Sequence, residues 1–227
     1  NAGYFGLVID YRGWGESDAR LVRDEQSATD KNARRDLREV VHPLDQATDI
    51  FNAIHWLQGE TGVDVNRIGV WGTSFSGGLA AYVAARDSRV KAIVAQTAWF
   101  GDSIAAMNPD KLQQSRTAAT RRARGEVGYP APGSVEIGKL RGGPVQESFL
   151  RYAPINDIPA MKGCAMLIID AEKEELFDIR EHGARAFERA TEPKKRVVIP
   201  GITHYGVYGE AREQATTLAI EWFNQHL

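Results

Sequence analysis

Short apolar runs that alternate with helical stretches constrain how this chain can fold more than any other feature. Five runs have the length and composition of buried strands: residues 5–10, 67–71, 90–95, 165–169 and 196–199. The stretches with helical character are residues 45–58, 78–85, 179–190 and 211–224. Strands that are continuously apolar are typical of parallel sheets covered on both faces. The sequence therefore predicts an α/β fold, with a mostly parallel sheet flanked by helices.

Residues 101–153 interrupt this alternation. The segment has no clear strand, is rich in Gly, Pro and Arg, and is far longer than an ordinary connection of about 4–6 residues. We therefore predict a core of residues 1–100 and 154–227, and an inserted, partly helical cap of residues 101–153 over the carboxyl ends of the strands. Residues 111–124 carry basic side chains and no acidic ones. They predict a solvated helix face, with attraction of an anionic substrate group as the alternative.

Composition narrows the classes of partner. The chain has 227 residues and a formal net charge of -2, which gives no reason to expect nucleic acid or an anionic membrane surface. No apolar run approaches the roughly 18 residues of a membrane span. The one cysteine, Cys164, excludes an internal disulfide and is expected to be a small buried hydrophobe. Without disulfides or a signal peptide, the sequence favours a cytoplasmic protein.

The strongest chemical signal is the segment VWGTSFSGG, residues 70–78, between a predicted strand and a predicted helix. A sharp strand-to-helix turn with Ser74 at its apex would expose the serine hydroxyl at the end of the sheet. Such a turn needs small residues two positions before and after the serine, and Gly72 and Ser76 meet that need. The amino end of the helix favours negative charge, so the backbone N–H of Phe75 is expected to donate to an oxyanion.

This segment resembles the G-x-S-x-G nucleophile elbow of the α/β-hydrolase superfamily, except that Ser76 replaces the last glycine. The resemblance covers nearly the whole chain outside the predicted cap. It is to members described as dienelactone-hydrolase-like or X-Pro-dipeptidyl-peptidase-like serine hydrolases. It implies a catalytic triad in the chain order nucleophile, acid, histidine.

The loop DAEKEELFD, residues 170–178, is similar to the family's H-G-x-x-D-x-x-V-P loop, which carries the triad acid. When the two are aligned, Glu174 falls on the acid. Glutamate can serve because the acid need only stay ionised and accept one imidazole N–H. The other carboxylates of the loop stay open as candidates, with Glu172 and Asp178 ahead of Asp170 and Glu175.

The segment PGITHYGVYG, residues 200–209, follows the last predicted strand and resembles the family's histidine loop. His204 matches the triad histidine, whose neutral imidazole takes the serine proton and later returns it to the leaving group. The remaining histidines fit this role less well and are interpreted as structural: His42, His55, His182 and His226.

The start of the chain, residues 3–18, is similar to the family's fourth strand and the loop after it, where Gly13 and Gly15 would form tight turns. The family's earlier strands, and the loop that supplies its second oxyanion donor, have no counterpart in this sequence. We therefore expect the chain to be the carboxyl-terminal part of a longer polypeptide, with an exposed sheet edge.

The function that the resemblance implies is hydrolysis of a carboxylic ester or related acyl bond through an acyl-enzyme on Ser74. Two alternatives remain open at this point. An alcohol, amine or thiol could intercept the acyl-enzyme, which would make the protein an acyltransferase. The protein could also be a non-catalytic relative that uses the fold to bind a ligand.

The expected partner is a small-molecule acyl substrate, with no nucleic acid and no membrane involved. No metal or organic cofactor is expected, because the triad needs none and the sequence has no metal-ligand spacing. A homo-oligomer is left open.

Overall fold

The structure is a computed structural model that describes residues 2–24, 26–102 and 108–227. Its strands, in chain order, are β1 (Arg20–Arg23), β2 (Arg34–Leu37), β3 (Val40–Val41), β4 (Ile68–Thr73), β5 (Val90–Gln96), β6 (Glu136–Ile137), β7 (Leu140–Arg141), β8 (Gly143–Pro144), β9 (Ala165–Ala171) and β10 (Lys194–Ile199). Its α-helices are α1 (Pro43–Gln58), α2 (Phe75–Ala84), α3 (Pro109–Ala123), α4 (Pro154–Asp157), α5 (Arg185–Arg189) and α6 (Arg212–His226). A π-helical turn covers Arg180–Ala184, and 3-10 turns cover Gln146–Arg151, Ile158–Ala160 and His204–Tyr208.

The chain divides into two compact units. The first comprises Asn1–Leu7, Ile50–Asp102 and Ala153–Leu227, and the second comprises Val8–Asp49 and Ser103–Tyr152. These bounds differ from the predicted core and cap, because residues 8–49 group with residues 103–152. Five residues of the predicted cap, 103–107, lie outside the described residues. The cap over the strand ends stays a prediction.

A four-stranded parallel sheet in the order β10-β9-β5-β4 organises the first unit. Every residue of β9 is buried, as is all of β5 except Lys91, because these two strands lie in the centre of the sheet. Their apolar side chains share a core with Trp222 and Phe223 of α6. The α/β fold with a mostly parallel sheet flanked by helices is therefore confirmed.

The predicted strand at residues 5–10 is wrong for this structure. The segment forms no strand, and its side chains are not buried: Phe5 is 57% exposed and Val8 is 96% exposed. An apolar run becomes a strand only when a neighbouring strand pairs with its backbone groups, and composition cannot supply that neighbour. In the described part of the chain, the sheet thus contains four of the five predicted strands, with β4 and β10 at its edges.

Short strand pairs characterise the second unit. β1 and β2 form an antiparallel pair, β3 and β8 a parallel pair, and β6 and β7 an antiparallel pair. The last three of these strands fall within residues 101–153, where the sequence indicated no strand. Each has only two residues, too few for a periodic pattern. Gly13 and Gly15 occupy turns with φ of 78° and 48°, as their tight-turn role requires.

Helix α3 contains most of the basic stretch of residues 111–124. It begins at Pro109 after an Asn108 cap, whose side chain accepts hydrogen bonds from the N–H groups of Asp110 and Lys111. Arg122 forms an ion pair with Glu147, and Arg121 lies 3.8 Å from Glu126. Ser115 is the buried residue of the helix. Most of the helix is therefore a solvated surface, consistent with the preferred interpretation of its charge.

Candidate active site

Ser74 lies at the turn between β4 and α2 and has φ 56° and ψ -122°. A positive φ is unfavourable for a residue with a side chain, so the surrounding structure must hold it. The Ser74 N–H donates to the carbonyl of Gln96 at 3.0 Å, and the Ser74 carbonyl accepts from the N–H groups of Gly77 and Trp99 at 3.0 and 2.9 Å. The carboxyl ends of β4 and β5 thus fix the serine backbone in its strained conformation.

The close packing expected around the turn is present. A Cβ atom at Gly72 would lie 2.1 Å from the carbonyl oxygen of Ser76, so only glycine fits. A Cβ atom at Gly77 would lie 2.4 Å from the Cβ of Ala98. Both constraints arise because the turn brings the start of α2 against the ends of two strands. Phe75 is the first residue of that helix, and its role as an oxyanion donor stays a prediction.

Glu174 and His204 meet in the interior of the first unit. The imidazole Nδ1 lies 2.7 Å from Oε2 and 2.9 Å from Oε1 of Glu174. The side chain of His204 has no exposed surface and that of Glu174 is 2% exposed. The Leu176 N–H also donates to Oε1 of Glu174 at 3.0 Å. Since a carboxylate only accepts, Nδ1 carries the proton, and in the neutral imidazole Nε2 is left as an acceptor.

The Nε2 atom of His204 is fully buried and has no hydrogen-bond partner among the described residues. Its hydrogen bond to the Ser74 hydroxyl is therefore not formed in this structure. Buried ring nitrogens are usually paired, because an unmade hydrogen bond costs about 1–3 kcal/mol. The structure thus brings the predicted acid and histidine together, whereas the predicted nucleophile is not hydrogen-bonded to them.

The other carboxylates of residues 170–178 have different partners. Glu172 accepts from the Gly201 N–H at 2.7 Å, and Glu175 accepts from the backbone N–H of His204 at 2.9 Å. Asp178 is exposed and pairs with Arg180, which lowers the pKa of Asp178 to about 2. None of these contacts involves the imidazole ring. The hydrogen bond from the His204 backbone N–H to Glu175 was not predicted from the sequence.

Asp170 stands where the resembled loop motif has histidine, and it is fully buried in an ion pair with Arg196 at 2.7 Å. Burial raises its pKa, and Arg196 opposes that effect. A Cβ atom at Gly183 would lie 2.2 Å from the Asp170 carboxylate, so the π-helical turn approaches this acid closely. Asp170 therefore joins the carboxyl end of β9 to β10 and to the turn that follows the loop.

The four remaining histidines lie in separate places. His42 accepts from the Asp45 N–H at 3.2 Å, and burial lowers its pKa. His55 lies 3.2 Å from a guanidinium nitrogen of Arg89, and the His226 ring packs 4.0 Å from that of Trp222. His182 is different, because its ring lies two ring contacts from His204 through Phe177.

A series of rings near Ser74 and His204 was not predicted as part of the site. Phe75 contacts Trp99, Trp99 contacts His182, His182 contacts Phe177, and Phe177 contacts His204. A local signal existed, since Trp99 follows β5 closely and Phe177 lies in the predicted acid loop. His182 gave none, because it lies beyond the matched motif.

Cys164 is 3% exposed, and burial raises the pKa of its thiol to about 12. Since the thiolate is the reactive form, iodoacetamide near pH 8 should leave the native protein unmodified and should alkylate it fully in guanidinium chloride. Intact-mass spectrometry measures both states. Native modification at the rate of a free cysteine would contradict this prediction.

No group of three or more His, Cys, Asp or Glu side chains within residues 2–24, 26–102 and 108–227 is arranged to hold a metal ion. Over the same ranges, every helix is too short or too polar to cross a bilayer.

Comparisons with known proteins relate this geometry to a family. Residues 1–114 match the model of the X-Pro dipeptidyl-peptidase (S15) family. The chain is 25% identical over 253 aligned residues to an uncharacterized 31.7 kDa protein of the traX-finO intergenic region of Escherichia coli, covering 100% of this chain and 82% of that protein. Over 118 residues it is 30% identical to the acyltransferase drtE of Aspergillus calidoustus, covering 52% of this chain and 33% of drtE.

The solved structures agree on the fold. The α/β hydrolase GrgF from Penicillium sp. sh18 superposes with a TM-score of 0.68 at 20% identity, over 96% of this chain and 78% of GrgF. The family match covers the turn with Ser74, and the structural match extends over the second half of the chain as well. On this evidence the chain is a hydrolase-like protein of the α/β-hydrolase superfamily and belongs to the X-Pro dipeptidyl-peptidase (S15) family.

Proposed function

We propose that this chain is a serine hydrolase that cleaves a carboxylic ester or related acyl bond through an acyl-enzyme on Ser74. The observation that carries the proposal is the state of His204. Glu174 holds its Nδ1 at 2.7 Å, and its buried Nε2 is an acceptor without a partner. An imidazole in that tautomer is suited to take a proton from a serine hydroxyl.

In the proposed reaction, Nε2 of His204 takes the Ser74 proton as Oγ attacks the acyl carbon. The imidazolium is stabilised by Glu174, and the Phe75 N–H at the amino end of α2 donates to the developing oxyanion. The oxyanion collapses, the bond to the leaving group breaks, and the imidazolium protonates that group. Water, deprotonated by His204, then releases the acid and restores Ser74. Protein side chains and water supply every proton in this scheme.

The scheme requires Ser74 Oγ and Nε2 of His204 to come within hydrogen-bond reach, about 2.6–3.2 Å. Such catalytic hydrogen bonds are often long or unformed before substrate binds. The Ser74 backbone is held by three hydrogen bonds, whereas its side chain makes no capping bond. Rotation of the hydroxyl and adjustment of the His204 loop are therefore the motions that the proposal needs.

A second candidate is acyl transfer to an acceptor other than water, which is favoured by the similarity to drtE, an acyltransferase by name. The same acyl-enzyme would form, and an alcohol, amine or thiol would replace water in the second step. Product analysis with and without an added alcohol separates the two candidates. A transferred acyl product that exceeds the free acid at millimolar acceptor would favour the transferase.

The experiment that tests the proposal is covalent labelling with a fluorophosphonate, which requires an activated nucleophile. We expect one adduct on the Ser74 peptide by mass spectrometry. Labelling should be lost in Ser74→Ala and retained in Ser88→Ala, a matched control at an exposed serine of the same unit. Absence of labelling in the wild-type protein would favour a ligand-binding relative, and an adduct on another residue would refute the assignment.

A further inference from the structure

Four rings form a continuous row in the first unit. The ring centroids of Phe75 and Trp99 are 5.8 Å apart, those of Trp99 and His182 are 6.0 Å apart, and those of His182 and Phe177 are 4.7 Å apart. Phe177 then lies edge-on to His204 at 5.6 Å. All four rings are half-buried, whereas His204 is fully buried. We call Phe75, Trp99, His182 and Phe177 the ring row.

The ring row extends from the proposed nucleophile, Ser74, to the proposed general base, His204. It begins at the residue after Ser74 and ends against the imidazole that would take the serine proton. The backbone of Trp99 is fixed beside the serine, because its main-chain N–H donates to the Ser74 carbonyl at 2.9 Å. A Cβ atom at Gly101 would lie 2.0 Å from the indole, so the indole packs directly on that backbone. An acyl group on Ser74 Oγ would therefore have aromatic surface close by.

The His182 side chain of the ring row is held as an uncharged imidazole. His182 Nδ1 accepts from the Phe100 N–H at 3.1 Å, which favours the uncharged ring, and burial lowers its pKa. Each carboxylate of the adjoining loop is already engaged. Asp170 pairs with Arg196, Asp178 pairs with Arg180, and the three glutamates accept hydrogen bonds from Gly201, Leu176 or His204. Of these five carboxylates, only the two aspartates pair with a cation, so the nature of the acyl group is inferred from the rings and not from the charges of the loop.

We propose that the acyl group accepted at Ser74 is planar and apolar, an aromatic carboxylic acyl group that packs on the ring row. Ring pairs prefer offset or edge-to-face contact, which a planar group can make and a puckered aliphatic group cannot. This inference rests on the proposed function, since it concerns the acyl-enzyme on Ser74.

The test compares 4-nitrophenyl benzoate with 4-nitrophenyl cyclohexanecarboxylate, which share a leaving group and have rings of similar size. Each kcat/KM is divided by the rate constant of alkaline hydrolysis, which removes intrinsic reactivity. We expect the corrected ratio to favour the benzoate by about tenfold.

Variants at Trp99 test whether the preference for the benzoate depends on the ring row. Trp99→Leu should bring the corrected ratio of benzoate to cyclohexanecarboxylate close to one. Trp99→Phe, which keeps a ring at this position, should retain most of the preference for the benzoate. Trp56→Leu is the matched control, because Trp56 is a tryptophan of the same unit that is 51% exposed on α1. It should leave the ratio unchanged.

The outcomes separate this inference from the proposed function. A wild-type ratio at or below one, or a ratio that survives in Trp99→Leu while that variant keeps its circular dichroism spectrum, overturns the ring-row inference. Neither result contradicts the proposed acyl-enzyme mechanism if fluorophosphonate still labels Ser74. Failure of that labelling overturns the proposed function itself.

Discussion

Replacing Ser74 by alanine should lower kcat for a small aryl ester by about 10⁵–10⁶-fold. The change removes the atom that would form the acyl-enzyme. It should leave the fold intact, because the Ser74 side chain makes no capping hydrogen bond and alanine at φ 56° has the same Cβ strain as serine. Initial rates with 4-nitrophenyl acetate, compared with spontaneous hydrolysis, measure the effect.

Two controls make that result interpretable. Ser88→Ala removes an exposed hydroxyl from the same unit and should retain the wild-type rate. The melting temperature of Ser74→Ala should match that of the wild type, so that loss of activity is not loss of structure. A Ser74→Ala protein that keeps more than a tenth of the wild-type rate would end the serine mechanism.

Replacing Glu174 by glutamine should lower kcat by about 10⁴-fold, although the side chain keeps its size. Oε1 of Glu174 accepts from both the Leu176 N–H and Nδ1 of His204, whereas Oε2 contacts Nδ1 alone at 2.7 Å. In the variant, the amide oxygen would stay with Leu176 and the amide NH₂ would donate to Nδ1. The imidazole proton would then move to Nε2, which could no longer accept the serine proton.

The matched controls for this prediction are the other acids that the sequence left open. Glu172→Gln and Asp178→Asn each remove a charge from the same loop without touching the imidazole, since their partners are Gly201 and Arg180. Both should stay within about twofold of the wild-type rate, as expected for surface charges. A large loss of kcat in either control, together with a small loss in Glu174→Gln, would assign the role of triad acid to another residue.

How far the fold could be predicted depended on where the hydrogen-bond partners lie. The sequence indicated β5 and β9 because their residues are apolar almost without interruption, which only burial on both faces explains. Residues 5–10 have similar composition, yet they join no sheet and Val8 is 96% exposed. The two-residue strands β6, β7 and β8 were missed for the opposite reason, since they pair without any periodic pattern.

The candidate site likewise contains local features, which the sequence can predict, and long-range contacts, which it cannot. The turn at Ser74 is a local feature, and the clash that excludes a side chain at Gly72 arises within four residues. The partner of His204 is a long-range feature. Five carboxylates lie within residues 170–178, and all share the same chemistry. The predicted Glu174 does reach Nδ1, but its role in catalysis stays a prediction until the glutamine variant is measured.

The sequence by itself determined the α/β class and the strand-to-helix turn at Ser74, because each depends on residues that are neighbours in the chain. The tertiary structure alone decided which carboxylate meets His204, how Glu175 and Asp170 are used, and that four rings form one row beside Ser74. Those contacts join loops that follow different strands. The path of each loop through space is set by the packing of the sheet beneath it, and a linear pattern does not contain that path.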